Sequence, residues 1–407
     1  MIAPKLRFSE FKDEWESEKL GKVIDISSAS RVFKEQWQES GIPFFRTSDV
    51  VSIFKNTTNE KAFISNELYE ELAKKSGKIQ KDDLLITGGG SIGIPYLVKD
   101  NKPLYFKDAD VLWLKSSGKI NGSYLYNFFV SPKFREYLKS ISHTGTISHF
   151  TIEQAKTTPI VLPSIPEQTK IAEFLSAVDD KISQLSRQLE LLNQYKKGVM
   201  QKIFSQEIRF KNDNGEDFAE WDEKTLLEIA NFRRGSFPQP YGLPQWLDKN
   251  GEPFVQVYDV DDNMSLKETT KIKISKLAQE QSVFAPKGTL IITIQGSIGR
   301  IAKMQYDAYV DRTLLIFQEY KCPINIDFFK YSLYLLFNLE KERADGGVIK
   351  TITKETLSKF VISVPELQEQ EKIAEFLGAI DKRINHTTDE LTQTKTWKKG
   401  LLQQMFV

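Results

Sequence analysis

The side chains in this 407-residue sequence that could do chemistry are polar and lie in predicted loops. Arginine, lysine, glutamine, serine, threonine, tyrosine and histidine can hydrogen bond to phosphates or to base edges. Any one of them alone is better explained as a solvated surface residue, but as a set they recur at matched places in the two halves of the chain. We therefore predict that they form a DNA-contacting surface. The candidates are Arg31, Lys34, Arg46, Thr47, Ser48, Ser91, His143, Thr144, Thr146, Ser148, His149, Arg233, Arg234, Ser236, Gln239, Tyr241, Gln256, Tyr258, Gln295, Ser297, Arg300, Arg343, Lys350 and Thr351.

Residue patterns for catalysis are missing from the sequence. The three histidines, His143, His149 and His386, lack the spacing of metal ligands. A single cysteine, Cys322, excludes an internal disulfide framework and a cysteine-based zinc site, and agrees with a reducing compartment. The acidic residues form no recognisable nuclease arrangement, and the motifs of a DNA methyltransferase do not occur. The sequence thus predicts no metal site and no enzymatic activity of its own.

Two glycine turns follow predicted buried strands at residues 83–87 and 289–293. They read Gly-Gly-Gly-Ser-Ile-Gly from residue 88 and Ile-Gln-Gly-Ser-Ile-Gly from residue 294. Neither turn has the pattern of a dinucleotide site or a P-loop. Two interpretations stay open. Either the glycines serve positive φ angles and close backbone approach, or Ser91 and Ser297, together with Gln295 and Arg300, face a phosphate or a base edge.

Two stretches of the sequence repeat each other at an offset of 202 residues. Residues 167–179 read Glu-Gln-Thr-Lys-Ile-Ala-Glu-Phe-Leu-Ser-Ala-Val-Asp, and residues 369–381 read Glu-Gln-Glu-Lys-Ile-Ala-Glu-Phe-Leu-Gly-Ala-Ile-Asp. The offset holds without a gap to Lys-Lys-Gly at 196–198 and 398–400. Because an internal repeat decides the architecture of a chain, we interpret the sequence as two related halves.

Apolar residues in each repeated stretch are spaced by three and four, which predicts a long helix with a heptad seam. Lys196, Thr387 and Thr394 interrupt this seam. About 40 residues at ~1.5 Å each give a helix of roughly 60 Å, which one globular core cannot cover. We therefore expect the two helices to pack against each other. The main seam residues are Ile171, Leu175, Val178, Ile182, Leu185, Leu189 and Leu192 in the first copy and Ile373, Leu377, Ile380, Ile384 and Leu391 in the second.

The residues before each long helix predict a mixed α/β globule. Apolar runs at 110–114, 160–162, 313–317 and 361–364 read as strands, and aromatic-rich segments at 124–141 and 327–341 read as helices. Pro132 is expected to kink or split the first of these helices, and Thr151 and Thr353 to cap short helical turns. The predicted globules span residues 1–165 and 208–367, and the predicted long helices span 166–207 and 368–407.

Composition sets broad limits on the class of protein. Hydrophobic residues make up 40% and charged residues 27% of the chain, as in soluble globular proteins. The net charge of +1 does not favour nucleic-acid binding, so a positive surface must be local or come from a partner. No apolar run approaches the ~18 residues of a membrane span, and the N-terminus lacks the apolar core of a signal peptide. We expect a cytoplasmic protein.

Three features of the sequence together resemble the specificity subunit of type I restriction–modification systems. They are the repeated Glu-Gln-x-x-Ile-Ala-x-Phe-Leu helix starts, the Gly-x-Pro-Phe segments at 41–44 and 251–254, and the glycine turns. The resemblance covers the whole chain. It implies a mixed α/β fold in which two target recognition domains alternate with two long helices. These helices are expected to pack as an antiparallel coiled coil, giving a pseudo-two-fold internal repeat.

The resemblance also implies a function. Each target recognition domain is expected to read one half of a split site in double-stranded DNA, while the helices act as a spacer and dock two modification subunits. Those subunits are expected to bind S-adenosylmethionine and methylate adenine. Restriction subunits, which use ATP and Mg for translocation and cleavage, are further expected partners, and this chain itself is expected to bind no cofactor.

Two alternative functions remain at this point. One is a coiled-coil scaffold for protein interactions that has no DNA specificity. The other is a methyltransferase or nuclease in its own right. The target bases cannot be deduced from the sequence, because loop geometry decides them.

Overall fold

The computed structural model of the chain describes residues 3–107, 110–116, 118–141, 149–343 and 354–407. The chain folds into two compact units, the first formed by residues 1–188 and 387–407 and the second by residues 189–386. Each unit contains part of both long helices.

The strands of the first unit form a central sheet, a smaller sheet and a separate strand pair. The strands are β1 (Glu16–Lys19), β2 (Asp25–Ser27), β3 (Ile42–Phe45), β4 (Ala62–Ile64), β5 (Leu84–Thr87), β6 (Pro95–Leu97), β7 (Tyr105–Phe106), β8 (Val111–Lys115) and β9 (Pro159–Leu162). The central sheet has the order β2-β8-β5-β6, the smaller sheet has the order β4-β3-β7, and β1 pairs with β9.

Four helices of the first unit begin at side-chain caps that the sequence provides, namely Ser65, Asn121, Ser131 and Thr151. The helices of this unit are α1 (Leu20–Val23), α2 (Thr47–Lys55), α3 (Asn66–Ser76), α4 (Gly122–Val130), α5 (Pro132–Ser140), α6 (Ile152–Thr157) and the first part of α7 (Ile165–Phe204). Ser131 lies between α4 and α5 and caps α5, whose first residue is Pro132, so the predicted split is confirmed. Thr151 caps α6 through a capping box with Gln154, as predicted. Thr353 lies outside the described residues.

The second unit repeats this topology and adds one strand to the smaller sheet. Its strands are β10 (Asp222–Thr225), β11 (Ala230–Arg234), β12 (Leu247–Val255), β13 (Ile272–Ile274), β14 (Val283–Ala285), β15 (Leu290–Thr293), β16 (Ile301–Lys303), β17 (Ala308–Val310), β18 (Leu314–Tyr320) and β19 (Val361–Val364). They form sheets with the orders β11-β18-β15-β16 and β13-β12-β17-β14 and the pair β10-β19. A parallel pair occurs at the same place in both units, between β3 and β7 and between β12 and β17.

The helices of the second unit are α8 (Leu226–Ile229), α9 (Lys276–Gln279), α10 (Ile326–Arg343), α11 (Lys354–Ser358) and the first part of α12 (Leu367–Met405). In the described part of the chain, no helix is both long and apolar enough to cross a membrane.

The central sheet of each unit is covered on both faces, which explains its continuous apolar strands. In the first unit, Leu84 and Ile86 of β5 pack with the helical layer that includes α4 and α5. Leu85 points to the opposite face and packs with Phe106 and Trp113. Strand β15 of the second unit alternates in the same way. The loops at the strand ends are therefore held by a sheet with little freedom to move.

The two long helices pack on each other with antiparallel polarity. In the first unit, Asp179 Oδ1 of α7 lies 2.5 Å from Lys398 Nζ of α12, and Lys181 Nζ lies 2.8 Å from Glu390 Oε1. Residue numbers thus rise along one helix as they fall along the other. The predicted seam is the packing surface. Its buried members are Ile171, Leu175, Val178, Leu185, Ile373, Leu377, Ile380 and Leu391, and its half-buried members are Ile182, Leu189, Leu192 and Ile384.

Lys196, which interrupts the apolar seam, is accommodated by an ion pair. Its Nζ lies 2.5 Å from Asp381 Oδ1 and sits over the ring of Tyr331, whose hydroxyl donates to Asp381 Oδ2 at 2.6 Å. Burial lowers the pKa of the Lys196 ammonium, while Asp381 acts in the opposite direction. In the first unit, Lys398 and Asp179 form the equivalent pair.

Placing aspartate at a buried seam position is expected to destabilise the chain. Leu185 is only 3% exposed, so Leu185→Asp would bury an unpaired carboxylate and lower the free energy of unfolding by about 3 kcal/mol or more. Denaturant unfolding of the full chain measures this loss. Leu191 lies on the same helix and is 47% exposed, so Leu191→Asp is the control and should change stability little. Equal losses for the two variants would contradict packing along the seam.

The repeated Glu-Gln pair at the start of each long helix has a structural role. Glu369 is fully buried, and its carboxylate accepts hydrogen bonds from Arg209 Nη2 at 2.7 Å and Trp221 Nε1 at 2.9 Å. The neighbouring Gln370 Oε1 accepts from the backbone N–H of Asn325 at 2.8 Å, just before α10. These contacts fix the long helix to the globular part of its own unit.

The first unit makes the arginine and glutamine contacts with residues one repeat earlier, whereas the buried Nε1 of Trp15, the counterpart of Trp221, has no hydrogen-bond partner among the described residues. Arg7 donates to the two carboxylate oxygens of Glu167 at 2.7 and 2.8 Å, and Gln168 Oε1 accepts from the backbone N–H of Asn121 at 2.9 Å. The most specific repeat in the sequence therefore marks a junction in the fold.

Candidate nucleic-acid interface

Several predicted loops of the first unit meet at one edge of the central sheet. The carbonyl of Asp110, just before β8, accepts hydrogen bonds from the Gly88 N–H at 2.7 Å and from Thr47 Oγ1 at 3.3 Å. The Phe150 N–H donates to the Gly88 carbonyl at 2.7 Å, and Gly89 and His149 form a β-bridge. The structure thus brings together Thr47, the glycine turn and His149.

The corresponding loops of the second unit meet in the same way. The Ile294 N–H donates to the Thr313 carbonyl at 2.9 Å, which joins the second glycine turn to the loop before β18. The Asp311 N–H donates to the Val255 carbonyl at 3.0 Å, and the Ser236 N–H donates to the Val310 carbonyl at 3.0 Å. Each unit thus has one set of loops that meet at equivalent strands of its central sheet. We call each set a loop cluster.

The glycine turns are held from inside by a buried threonine. Thr87 Oγ1 accepts from the Ile94 N–H at 2.9 Å, and Thr293 Oγ1 accepts from the Arg300 N–H at 3.0 Å. Gly93 has a φ of 71°, and a Cβ there would lie 2.8 Å from Phe134 Cε1. The structural interpretation of these glycines is therefore confirmed. Ser91, Gln295 and Ser297 are exposed on the turns, and their contact with DNA stays a prediction.

Alanine at Gly93 is expected to destabilise the first glycine turn because the new Cβ would collide with Phe134 and Leu138. The control is Gly118→Ala, since Gly118 has nearly the same φ, 72°, and a Cβ there would meet nothing within 4 Å. Both variants carry the strain of a positive φ, but only Gly93→Ala carries the collision. We expect Gly93→Ala to lose about 2 kcal/mol more than the control. Denaturant unfolding measures the difference, and equal losses would show that the turn is not held against α5.

The candidate Arg46 is held by several contacts within its own unit. Its Nε lies 2.8 Å from Asp49 Oδ2, and its guanidinium lies over the ring of Trp37. The hydrogen bond with Asp49 raises the pKa of Arg46. Asp49 also accepts from the Arg46 backbone N–H at 2.8 Å and so caps α2. Beside it, Ser48 Oγ accepts from Asn59 Nδ2 at 3.1 Å.

The equivalent position in the second unit carries a glutamine, Gln256, in place of the arginine. Asp259 accepts from the Gln256 backbone N–H at 2.9 Å, as Asp49 does in the first unit, and burial raises the pKa of Asp259. The Gln256 amide donates to Tyr241 Oη and accepts from Tyr258 Oη. Tyr241 Oη in turn donates to Asp311 Oδ2 at 3.2 Å. Burial, and then Asp311, raises the pKa of Tyr241 to about 12, which keeps this phenol protonated as a donor.

The remaining described candidates lie at varied places. Ser236 Oγ donates to the Gln281 carbonyl at 2.8 Å, and the guanidinium of Arg300 binds the Val260 carbonyl and Asp262. Arg31 lies over the ring of Phe33. The others are exposed, namely Lys34 at the start of a short 3-10 helix, Arg233 and Arg234 on β11, and Gln239. His143, Thr144, Thr146, Ser148, Lys350 and Thr351, together with the side chain of Arg343, lie outside the described residues.

Asp110, Asp311 and Arg312 belong to the loop clusters but were not among the candidates. Asp110 directly precedes β8 and Asp311 lies between β17 and β18, and each organises the loop around it. Arg312 follows Asp311 and lies over the Tyr241 ring. An aspartate directly before β8 was the available signal in the first half, whereas Asp311 lies between β17 and β18, and the residue directly before β18 is Thr313. Among the described residues, no group of three or more histidine, cysteine, aspartate or glutamate side chains could hold a metal ion.

Two α/β units that present matched loop clusters, each fixed to long paired helices, define a duplicated recognition protein. The family model described as the type I restriction modification DNA specificity domain matches residues 12–194 and 219–394. The chain therefore belongs to this family, and its function is the recognition of DNA sequence.

Relatives over the full length support the family assignment. The chain is 24% identical to the type I restriction enzyme MjaVIII specificity subunit of Methanocaldococcus jannaschii, covering 96% of this chain and 91% of that one. It is 22% identical to the EcoBI specificity subunit of Escherichia coli, covering 94% and 84%. The S subunit of a type I restriction–modification system from M. genitalium has the same fold, with a TM-score of 0.63 at 17% identity over 100% and 99% of the chains.

These findings confirm three predictions made from the sequence. The family, the fold class, and the role of DNA recognition component rather than enzyme agree with the matched domain and with the names of the relatives. The alternative of a coiled-coil scaffold without DNA specificity is not favoured.

Proposed function

We propose that the chain recognises a bipartite target in double-stranded DNA, with each loop cluster reading one half. The observation that carries this proposal is that the two clusters share a framework but present different side chains. After β3 the first unit has Arg46 held by Asp49, whereas after β12 the second has Gln256 held by Asp259. Equivalent frames with different side chains suit two different half-sites. Because one chain carries both loop clusters, binding of one half-site raises the effective concentration of the other cluster at its half-site, and the overall affinity rises.

The chain assembles with modification and restriction subunits in this proposal. Its repeated halves offer two equivalent surfaces, which suits two modification subunits. The net charge of +1 leaves part of the phosphate neutralisation to these partners. S-adenosylmethionine, ATP and Mg belong to the partner subunits, and this chain binds no cofactor. The predicted domain boundaries, at residues 165/166, 207/208 and 367/368, are retained in this proposal.

The test is DNA binding by the chain together with its modification subunits, measured at several salt concentrations. Methylated adenines in cells that carry the system give the target sequence. We expect a split target, and an affinity for it that falls steeply as salt rises, because phosphate contacts release counterions. A continuous target would contradict the two-reader proposal. Affinity that is independent of both sequence and salt would contradict DNA recognition itself.

A further inference from the structure

The second unit contains a cavity of about 1390 Å³. Its walls are the C-terminal part of α7, helix α10, part of α12, the end of β16 and the loops at 262–265 and 287–288. All of these segments lie within residues 189–386. Since cavities of roughly 300–1000 Å³ already hold small-molecule ligands, this one has room for an organic ligand and bound water.

Lysine dominates the charged lining of this cavity. Six lysines line it, against two aspartates, whereas the whole chain has 56 basic and 55 acidic residues. The positive charge is therefore local and does not follow from the average composition. The lysines are Lys196, Lys197, Lys287, Lys303, Lys330 and Lys341, and the aspartates are Asp262 and Asp381.

Three of these lysines share two carboxylates. Lys303 Nζ and Lys330 Nζ lie 2.6 and 3.1 Å from the two carboxylate oxygens of Asp327. Lys196 Nζ lies 2.5 Å from Asp381 Oδ1. One ammonium charge of the three is therefore left over in these ion pairs. We call Lys196, Lys303 and Lys330 the inner lysines.

The inner lysines are partly withdrawn from water. The side chains of Lys196 and Lys330 are each 13% exposed, and both lie over the ring of Tyr331. Burial lowers the pKa of Lys196, Asp381 raises it, and the nearby charge of Lys330 lowers it further. Because surplus charge is costly where water is scarce, an anion beside the inner lysines would be stabilised.

The first unit has uncharged residues at the places of two inner lysines. Lys303 and Leu97 lie opposite the first residues of β15 and β5 in equivalent strand pairs. Lys330 and Tyr126 each lie five residues after the asparagine whose backbone N–H binds the repeated glutamine. The shared framework therefore folds with leucine and tyrosine at these places and does not require lysine. A surface repeated for a partner that binds both halves would carry the lysines twice.

Apolar and amide side chains form the rest of the lining. Met200, Phe204, Met264 and Tyr334 belong to one hydrophobic cluster beside the cavity. Met264 has a φ of 62°, which non-glycine residues rarely adopt and which clusters at ligand and active sites. Side-chain amides can both donate and accept hydrogen bonds. Those of the lining are Asn193, Gln201, Asn263, Gln305, Asn338 and Asn385.

We propose that this cavity binds a nucleoside phosphate. The phosphate groups pair with the inner lysines and with Lys287, which is exposed and forms no ion pair with any described residue. The base packs against the methionine and aromatic side chains, and its polar edge is hydrogen bonded to the amides. The ligand is separate from the cofactors of the partner subunits, and its binding does not depend on the proposed function.

The three kinds of side chain in the lining match the three parts of a nucleotide. Lysine ammonium groups bind phosphate as point charges, aromatic side chains stack on bases, and amides pair with base edges. Duplex DNA fits the cavity less well, because its phosphates meet side chains on an exposed surface, whereas two of the inner lysines are 13% exposed. A fatty acid would leave the amides of the lining without partners.

The test is calorimetric titration of the full chain with each of the four common ribonucleoside diphosphates. Adenosine and inorganic pyrophosphate are the matched ligands, since each carries only one half of the chemistry. We expect one diphosphate or more to bind once per chain, at least tenfold more tightly than either matched ligand. Binding of none of the four would overturn the proposal. Equal affinity for pyrophosphate would show an anion site without a place for the base, which also overturns it.

The variant Lys303→Leu places in the second unit the residue type that the first unit has at Leu97. We expect the affinity for the bound diphosphate to fall at least tenfold and the melting temperature to change little, because leucine fits the equivalent place. The control is Lys224→Leu on β10, which lies outside the cavity and pairs with a carboxylate that is 75% exposed. It should leave the affinity unchanged. Lys330→Gln gives a second, independent loss of charge should Lys303→Leu fold poorly.

The remaining outcomes separate this site from others. If Lys303→Leu and Lys330→Gln both bind the diphosphate as the unaltered chain does, the nucleotide binds elsewhere and the proposal is wrong. If duplex DNA of unrelated sequence displaces the diphosphate, and Lys303→Leu weakens the affinity for that duplex equally, the cavity binds DNA phosphates and the proposal is also wrong. The titrations with nucleotides need neither DNA nor partner subunits, so a failure of the proposed DNA target would leave their result unaffected.

Discussion

Alanine in place of Glu369 is expected to lower the free energy of unfolding by about 3 kcal/mol or more. The carboxylate is 0% exposed and accepts hydrogen bonds from the Arg209 guanidinium and the Trp221 indole. Its removal leaves both donors without their acceptor beside the start of α12. The loss of the partner of a half-buried guanidinium accounts for most of the effect. Denaturant unfolding of the full chain measures it, with loss of tryptophan fluorescence as the signal.

The matched control is Lys372→Ala, one turn further along the same helix. Lys372 Nζ lies 2.7 Å from Asp213 Oδ1, but this carboxylate is 80% exposed. Water screens such a pair, so the expected loss is below about 1 kcal/mol. Glu167→Ala should behave like Glu369→Ala, because Arg7 makes the equivalent ion pair in the first unit. A loss for Glu369→Ala no larger than that for Lys372→Ala would contradict the structural role assigned to the repeated glutamate.

Exchange of residues 208–364 for the matching segment of a relative is expected to change one half of the DNA target completely and to leave the other half intact. The second loop cluster lies within this segment, and its loops are fixed by contacts to strands of the same unit. The junctions lie in the turn after α7 and at the end of β19, so both long helices keep their own sequence. Mapping of methylated adenines in cells that carry the hybrid chain and its modification subunits gives the new target.

The unchanged half of the target is the internal control of this exchange. It shows that the hybrid chain folds, assembles and directs methylation, so that a new second half cannot be attributed to a damaged complex. A hybrid in which both half-sites change would mean that the two loop clusters do not read independently.

The long helices were predictable from sequence because their signal is local and repeated. Spacings of three and four residues mark the seam, and the second copy confirms the first. The polar interruption at Lys196 was not explicable in advance, because its partner Asp381 is 185 residues away in the sequence. The residue pattern of one helix cannot show which charged residue of the other helix will lie opposite it.

The loop clusters were predictable in composition but not in arrangement. Arginine is a residue type that binds phosphate, yet in the structure the Arg46 guanidinium binds Asp49. The same carboxylate accepts a hydrogen bond from the Arg46 backbone N–H at the start of α2. Composition cannot distinguish these roles, since both use the same atoms. Asp110 and Asp311 were missed for the opposite reason. They act mainly by positioning neighbouring backbone, and a carboxylate next to a core strand reads as an ordinary strand end.

The division of the long helices between the two units has a consequence for the order in which the chain can fold on the ribosome. The second unit is one continuous segment, residues 189–386, whereas the first needs residues 387–407 as well. Leu401, Leu402, Met405 and Phe406 are buried in the core of the first unit, and the Leu6 N–H donates to the Gln404 carbonyl at 3.0 Å. The first unit therefore keeps an exposed apolar surface until the second unit and residues 387–407 have been translated. Nascent chains arrested before residue 387 should expose that surface to chaperones, although nearly all of the first unit has already emerged.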